Sequence, residues 1–259
     1  MEFLIEFITV VRNDKLALIR TIESLDETFK KFNLYEKISH LVVDGASNDG
    51  TLEYLQSIQK HRSLNTRLIS EPDEGIYDAM NKGVLYSKGL TLIFLNAGDI
   101  LADQADLGKL VFDAATMLSK ENVFATAYSA FLRFSNRSIL IKSRNISFSS
   151  PKLPTIHQSM LYVRSGLIAN PYDTSFKICG DYEQFARSYS NGNYVIVKNM
   201  PLAVFFSGGI SSQLPFVLYR ESIKISGMYF TLTGFESFRL RFRLIRSLLV
   251  FSVLNRLFA

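Results

Sequence analysis

The chain has 259 residues, of which 47% are hydrophobic and 20% charged, enough apolar side chain for one sizeable α/β domain and too much for a disordered chain. A single cysteine, Cys179, cannot form an intrachain disulfide, so nothing in the fold calls for an oxidising compartment. The net charge of +5 is modest, the start lacks the basic segment and small-residue cleavage site of a signal peptide, and no run of about 18 residues is both apolar and uncharged; a secreted precursor, a spanning helix and a nucleic-acid partner are not expected.

In chain order, Phe3 to Val11 (FLIEFITVV) is rich in β-branched and aromatic residues and reads as a strand, and Leu16 to Phe32 carries apolar positions at helical spacing. Ile38 to Val43 reads as a buried strand that stops at Asp44, followed by the turn-rich GASNDG and a helix from Thr51 to about Lys60. Arg67 to Ser70 is a short third strand, Asp78 to Ser87 a helix, and Leu90 to Leu95 a fourth strand ending at Asn96. Short apolar strands alternating with helices predict an α/β fold with a mostly parallel sheet covered on both faces. Ligands of such sheets sit beyond the carboxyl ends of the strands, where Asp44, Glu71 and Asn96 to Asp99 all fall. Further on come a helix near Leu107 to Ser119, strand-like segments at Val123 to Phe134 and Ser138 to Lys142, and a loop from Pro151 to His157. A strand at Gln158 to Val163 and a helix from Asp181 to Tyr189 with an acidic first turn follow. After Ser207-Gly208-Gly209 the composition shifts to Leu, Phe, Ile, Ser and Arg, which predicts a boundary near Ser212: a catalytic domain over 1–212 and a helical, basic amphipathic region over 213–259.

Four segments carry candidate chemistry. VVDGASNDGT (Val42 to Thr51) delivers Asp44 from a strand into a turn with Ser47 and Asp49; a carboxylate there can accept from a nucleobase N–H or ribose hydroxyls, or can shape the turn and cap the helix at Thr51. SEPDEGIYDAMNKG (Ser70 to Gly83) crowds Glu71, Asp73, Asp78 and Lys82 about Gly75; a solvated helix with a glycine cap accounts for Lys82 and Gly83 but poorly for the rest. FLNAGD (Phe94 to Asp99) ends an apolar strand in Asn96 and Ala97 and brings Asp99 three residues later, where a hard oxygen suits Mg²⁺ or Mn²⁺; alone it is a turn. KICGDYEQF (Lys177 to Phe185) places Asp181 at a helix start, which favours the ionised state a general base needs and equally suits a helix cap.

Taken together and in order, ITVVRND, VVDGASNDGT, SEPDEGIYDAMNKG and FLNAGD resemble the nucleotide-sugar half of family 2 glycosyltransferases with a GT-A fold, in particular the branch that builds colanic acid, capsule and O-antigen repeats. The resemblance covers roughly residues 3 to 212. It implies an inverting transferase that takes a sugar from a nucleotide donor, UDP by family frequency, to a lipid-linked saccharide. It implies donor contacts from Thr9, Val11, Arg12, Asp44, Ser47, Glu71, Asp73, Gly75, Asp78, Lys82, Asn96 and Ala97, a divalent metal on Asp99, the general base in Asp181, and acceptor contacts from His157 and Gln158. Two departures stand out. Asn96-Ala97-Gly98 replaces the Asp-x-Asp of many relatives, leaving Asp99 as the one carboxylate for a metal, and no histidine lies near Phe206 to Ser211. A dinucleotide-dependent oxidoreductase is disfavoured because no G-x-G-x-x-G turn follows the first strand; a scaffold that binds donor without catalysis stays open. Cys179 is expected in or near the site wall without nucleophilic chemistry, and His40 and His61 lack a functional context.

From Arg239 to Arg256 there are five arginines and no acid, set among Leu, Phe, Ile and Val. Such a helix suits an anionic membrane interface, and with a lipid-linked acceptor it implies a peripheral protein on the cytoplasmic face of the bacterial inner membrane. Packing on the catalytic domain or in a homo-oligomer is the alternative for that helix.

Overall fold

The computed structural model describes residues 3–58, 66–134, 137–146, 152–206, 214–230, 233–234, 238 and 242. The expectations for His61, for 207–211, for the boundary near Ser212 and for nearly all of the arginine-rich stretch lie outside the described residues.

The described strands form one sheet in the order β3-β2-β1-β4-β8-β6-β9-β5, with β7 paired to β6. Strands β1 (Phe3–Val11), β2 (Ile38–Asp44), β3 (Thr66–Ser70) and β4 (Gly89–Phe94) are mutually parallel. Strand β8 (Met160–Val163) runs antiparallel between β4 and β6 (Val123–Phe134), and β6 pairs in parallel with β9 (Tyr194–Phe206). The short β5 (Ile100–Leu101) and β7 (Arg137–Ile141) close the far side by antiparallel pairing. Register aligns Val11 with Asp44 and Asp44 with Ser70, so three strands end level and their following loops meet.

Helices cover both faces. Helix α1 (Lys15–Phe32) buries Leu18, Ile22, Leu25 and Phe29 at the spacing of one helical stripe, begins at Asp14, whose carboxylate accepts from Ala17 N, and ends at Asn33 in the left-handed region. With α4 (Leu107–Leu118) it packs on one side of the sheet, where Phe7, Phe29, Leu110 and Met117 share a core. Side chains of this kind contribute about 1.5–3 kcal/mol each on full burial. The opposite core gathers Ile8, Leu92 and Phe94 from the sheet, Tyr77, Met80 and Val84 from α3 (Ile76–Tyr86), Leu167 from α5 (Arg164–Ala169) and Phe185 and Ala186 from α6 (Gly180–Ser190). Helix α2 (Thr51–Ile58) lies beside α1 through Leu55.

One expectation needs correction. Residues His157–Ser159 form a 3-10 turn, and the strand begins only at Met160; the turn points both His157 and Gln158 inward. The long β9 was not foreseen. Helix α7 (Pro215–Tyr229) lies beyond the boundary expected near Ser212, yet it shares the core: Ile225 is fully buried, Phe230 nearly so, and Ser226 sits 3.1 Å from the Tyr182 hydroxyl. Residues 215–230 thus pack on the same core as α6. No helix among the described residues is long and apolar enough to cross a membrane.

Candidate active site

The loops after β1 and β2 are stitched together by side chains that stand in for backbone partners. Asn13 N donates to Ser47 Oγ (2.8 Å), Asn48 N to Asn13 Oδ1 (2.8 Å), and Lys15 N to Asp49 Oδ2 (3.0 Å). Asp49 Oδ1 also accepts from the Thr51 amide and hydroxyl, so Asp49 caps the starts of two helices, and the Thr51 hydroxyl is the main reason its carboxyl is held below the usual range. Asp44 at the end of β2 is fully buried and accepts from Ser47 N (3.3 and 3.2 Å) and from the Ser70 hydroxyl (2.6 Å). It thus joins the ends of β2 and β3 from below the cleft.

Above Asp44 lies an ion pair. The Arg12 guanidinium is 3.5 Å from Asp73 Oδ1; the arginine side chain is 58% exposed and the aspartate only 6%. Asp73 lies against Gly45 so closely that a Cβ there would stand 2.0 Å from Asp73 Oδ2, and Asp73 Oδ1 accepts from Gly75 N (2.9 Å). Gly75 has φ +131°, a conformation that favours glycine, and the chain turns there into α3. Behind it, Lys82 Nζ gathers Glu71 (3.3 Å), Asp78 (3.1 Å) and the Pro72 carbonyl (2.6 Å). Arg12, Ser47, Asp73 and Gly75 thus surround one place over the strand ends, while Glu71, Asp78 and Lys82 brace its wall. Two of the expected donor residues do not line it. The Thr9 hydroxyl is buried in the sheet, donating to Leu95 O (2.8 Å) and lying 2.9 Å from His40 Nε2, and the Val11 side chain packs with Leu18, Val42 and Leu55. Alternation along a strand turns those side chains into the layers and leaves only main-chain atoms at the rim.

Asn96 and Ala97 follow β4. Ala97 packs against the α1–α2 core, and Asn96 Oδ1 is buried without a hydrogen-bond partner among the described residues, an acceptor-type atom still free to take a ligand's hydroxyl. Asp99 is different. Only 5% exposed, it accepts from Gln158 Nε2 (3.0 Å) on one oxygen and from Phe206 N (3.4 Å) on the other. Burial pushes its carboxyl from 3.8 to about 7, against the pull of those two donors and of Arg20. Gln158, expected at the acceptor, is buried and donates to Asp99. A metal needs ionised oxygens facing the ligand. Here both carboxylate oxygens are engaged with protein donors, Gly98 stands where a second acid would serve, and no group of three or more His, Cys, Asp or Glu among the described residues could hold an ion. The residues present do not fit a carboxylate-held metal at Asp99.

The residues expected at the acceptor lie among aromatic rings. His157 is buried, stacked on Phe94 (centroids 5.2 Å) with Nδ1 3.1 Å from the Tyr162 hydroxyl, and burial lowers its pKa to about 3. The imidazole is therefore neutral, and its Nε2 has no partner among the described residues. Tyr172 lies across it, edge to Phe94 (5.8 Å) and stacked with Tyr77 (5.7 Å), its own hydroxyl buried and without a hydrogen-bond partner among the described residues.

Asp181 stands in the first turn of α6, facing Tyr77. The Tyr77 hydroxyl donates to Ile178 O (2.5 Å) and lies 3.3 Å from Asp181 Oδ1; Gly180 makes this possible, since a Cβ there would meet the Tyr77 ring at 2.7 Å. Asp181 keeps partial exposure while protein surrounds it on most sides, and that desolvation raises its carboxyl from 3.8 to about 6, with the Tyr182 N–H and Tyr77 pulling it down. It is ionised at neutral pH and still basic enough to take a proton. Cys179 next door is buried, its thiol pushed by burial up to about 12, which agrees with an inert wall residue. Tyr77, Tyr172 and Glu221 were not singled out from the sequence. Tyr77 sits within the SEPDEGIYDAMNKG motif, and that motif was the one signal pointing to it.

A model of the family described as Glycosyl transferase family 2 matches residues 6–162, more than half of the chain. The chain is 28% identical over 163 residues to a PGL/p-HBAD biosynthesis glycosyltransferase of Mycobacterium bovis, a match covering 58% of each protein, so the similarity spans little more than half of that relative. An uncharacterized glycosyltransferase of Mycobacterium tuberculosis is 35% identical over 95 residues, 37% of this chain and 34% of that one. Among solved structures, the chain is similar to the mannosyltransferase PcManGT of Pyrobaculum calidifontis in complex with GDP-Man and Mn²⁺, with TM-score 0.63, 17% identity and coverage of 87% of this chain and 63% of that one. It is similar also to S. aureus TarS residues 1–349 in complex with UDP-GlcNAc, with TM-score 0.64, 14% identity and coverage of 95% and 72%. At these identities the likeness establishes the fold, the mixed sheet of GT-A enzymes.

Proposed function

Because the chain belongs to glycosyl transferase family 2, we propose that it moves one sugar from a nucleotide donor, a UDP-sugar, to a hydroxyl of a lipid-linked saccharide, inverting the anomeric carbon in a single displacement. The observation that carries this reading is the contact between Tyr77, on the helix of the donor motif, and Asp181, the partly open carboxylate at the start of α6. It ties Asp181 to the helix that starts just after Gly75, one of the residues of the proposed donor place. In the reaction the acceptor O–H gives its proton to Asp181, the acceptor oxygen bonds to the anomeric carbon, and the bond from that carbon to the diphosphate breaks with its electron pair going to the leaving nucleoside diphosphate.

On this reading the Asn96 amide oxygen accepts from the ribose, Asp44 holds the loop against the base from beneath, and exposed Arg12 meets phosphate charge on exchanging Asp73 for the donor. A Mn²⁺ accompanies GDP-Man in the mannosyltransferase neighbour; among the described residues of this chain no group of three or more His, Cys, Asp or Glu could hold such an ion. The acceptor class and a role in bacterial surface polysaccharide assembly rest on the motif resemblance. The proposed setting, the cytoplasmic face of the inner membrane, rests on the five arginines among apolar residues from Arg239 to Arg256.

The test is Asp181→Asn, assayed for transfer with UDP-, GDP- and dTDP-sugars and, by calorimetry, for nucleotide binding. Transfer should fall by about 10²–10⁴-fold with nucleotide affinity kept. Undiminished transfer would remove Asp181 from the mechanism. A wild-type chain that binds donor and transfers to no acceptor would be a scaffold.

A further inference from the structure

The segment Lys177-Ile178-Cys179, which delivers Asp181, has three consecutive main-chain N–H groups just ahead of a helix whose N-cap residue, Cys179, supplies no side-chain cap. Such donors need a partner from elsewhere in the fold. They find it in one carboxylate: Glu221, in the middle of α7, accepts from Lys177 N at 2.8 Å on one oxygen and from Ile178 N at 3.0 Å and Cys179 N at 2.9 Å on the other. On the opposite side of the same segment the Ile178 carbonyl accepts from the Tyr77 hydroxyl. The base-bearing loop is therefore gripped through its N–H groups by α7 and through its carbonyl by α3. We propose that Glu221 is a positioning residue of the transfer reaction, holding the 177–179 loop so that Asp181 meets the acceptor hydroxyl. This rests on the reading of Asp181 as the base.

The grip has an electrostatic consequence. The groups acting on Asp181 are Tyr77 from α3, Tyr162 from β8, Tyr172 from the loop after α5, Cys179 from its own segment and Glu221 from α7. Burial drives the three tyrosines upward and the cysteine to about 12, so these four are neutral across the working range. Glu221 is left as the charged neighbour among them, and its negative charge disfavours a second one on Asp181, keeping the base more basic than burial alone would. Position and basicity then come from one side chain, 40 residues further along the chain than the group it serves.

The experiment compares wild type, Glu221→Gln, Glu221→Asp and Asp181→Asn for kcat, KM and the pH dependence of kcat/KM, with nucleotide affinity by calorimetry. In Glu221→Gln one amide oxygen remains to accept and the charge is gone. The expected result is a kcat lowered by roughly ten-fold or more, nucleotide affinity within about two-fold, and an acidic limb moved to lower pH, because loss of the neighbouring charge favours the ionised base. Glu221→Asp keeps the charge and loses the reach; kcat should fall while the acidic limb stays near its wild-type position. If Glu221→Gln leaves kcat and the limb unchanged, or lowers kcat only in step with nucleotide affinity and with no movement of the limb, Glu221 is merely structural and the proposal is overturned. If instead Asp181→Asn keeps full activity, the base assignment fails first, an outcome that the Asp181 variant alone reveals.

Discussion

Replacing Asp99 with asparagine should abolish most of the loss of stability that the wild-type chain undergoes as the pH is raised from 5 to 8. The folded carboxyl titrates at about 7 against 3.8 for an ordinary aspartate, so the folded chain holds a proton there that the unfolded chain has already released. A raised carboxyl pKa makes ionisation a cost to the folded state: nothing is lost below 3.8, the penalty grows as pH rises towards 7, and it is complete above that. A shift of this size corresponds to about 4 kcal/mol at pH 8, of which roughly 3 kcal/mol accrues above pH 5. In Asp99→Asn the introduced amide would still accept from Phe206 N through its oxygen, and Gln158 need only turn its own amide over to accept from the new NH₂. The assay is urea denaturation at pH 5, 6, 7 and 8 with a chelator present. Asp181, raised to about 6, adds a slope of the same sign to both proteins, so the difference between them isolates Asp99. Parallel stability curves would refute the claim that burial governs this carboxyl. Repeating the pH 8 measurement with Mn²⁺ decides the metal question: stabilisation of wild type and not of Asp99→Asn would place an ion on Asp99 and refute the reading of that residue as an internal support.

Gly45→Ala should raise the donor KM by roughly ten-fold with a smaller change in kcat, since the new methyl would collide with Asp73 and displace Arg12 from above the strand ends; steady-state kinetics against donor concentration checks it. Gly180→Ala sets helix propensity, which gains about 1 kcal/mol from alanine, against the clash with the Tyr77 ring; kcat should fall by roughly ten-fold or more, and a more stable chain of unchanged kcat would show that the Tyr77 contact is dispensable. Glu6→Ala removes a fully buried carboxylate that accepts from Arg67, Ser39 and the amides of Lys88 and Gly89, and should cost about 3–5 kcal/mol in urea unfolding without altering kcat of the folded fraction, because Lys88 and Gly89 lie at the strand ends opposite the site.

The donor half was legible because it is local. A strand's apolar run, the turn residues after it and the next helix are contiguous in sequence, so Asp44, Glu71 and Asn96 could be placed at strand ends from composition and spacing. What each carboxylate does there is not local. Asp49 sits among the same turn residues as Asp44 and proves to be a cap for two helices, one of them 34 residues earlier in the chain. Asp99 reads as a candidate metal ligand after a strand, and what holds it buried, the Gln158 amide, comes from 59 residues away. Strand β9 hid behind Pro201, a residue that counts against a central strand; it is accommodated because the pairing with β6 slips between Tyr128 and Ser129, opposite the stretch from Lys198 to Pro201.

The C-terminal helix makes the same point about boundaries. A shift towards Leu, Phe and Arg after residue 212 signals extra apolar surface, but says nothing about what that surface packs against. In α7 the buried positions Ser222, Ile225 and Ser226 mix polar with apolar, since the helix lies on Cys179 and Tyr182, whose thiol and hydroxyl face the two serines. A helix evolved only to enter a lipid interface would have no use for a carboxylate on its protein side. Glu221 is there because three amide N–H groups ahead of α6 need an acceptor, and satisfying them fixes the loop that carries Asp181. On the proposed reading the stretch from 215 to 230 is part of what aims Asp181, and any membrane attachment by the residues after it would act on a helix fastened to the 177–179 loop.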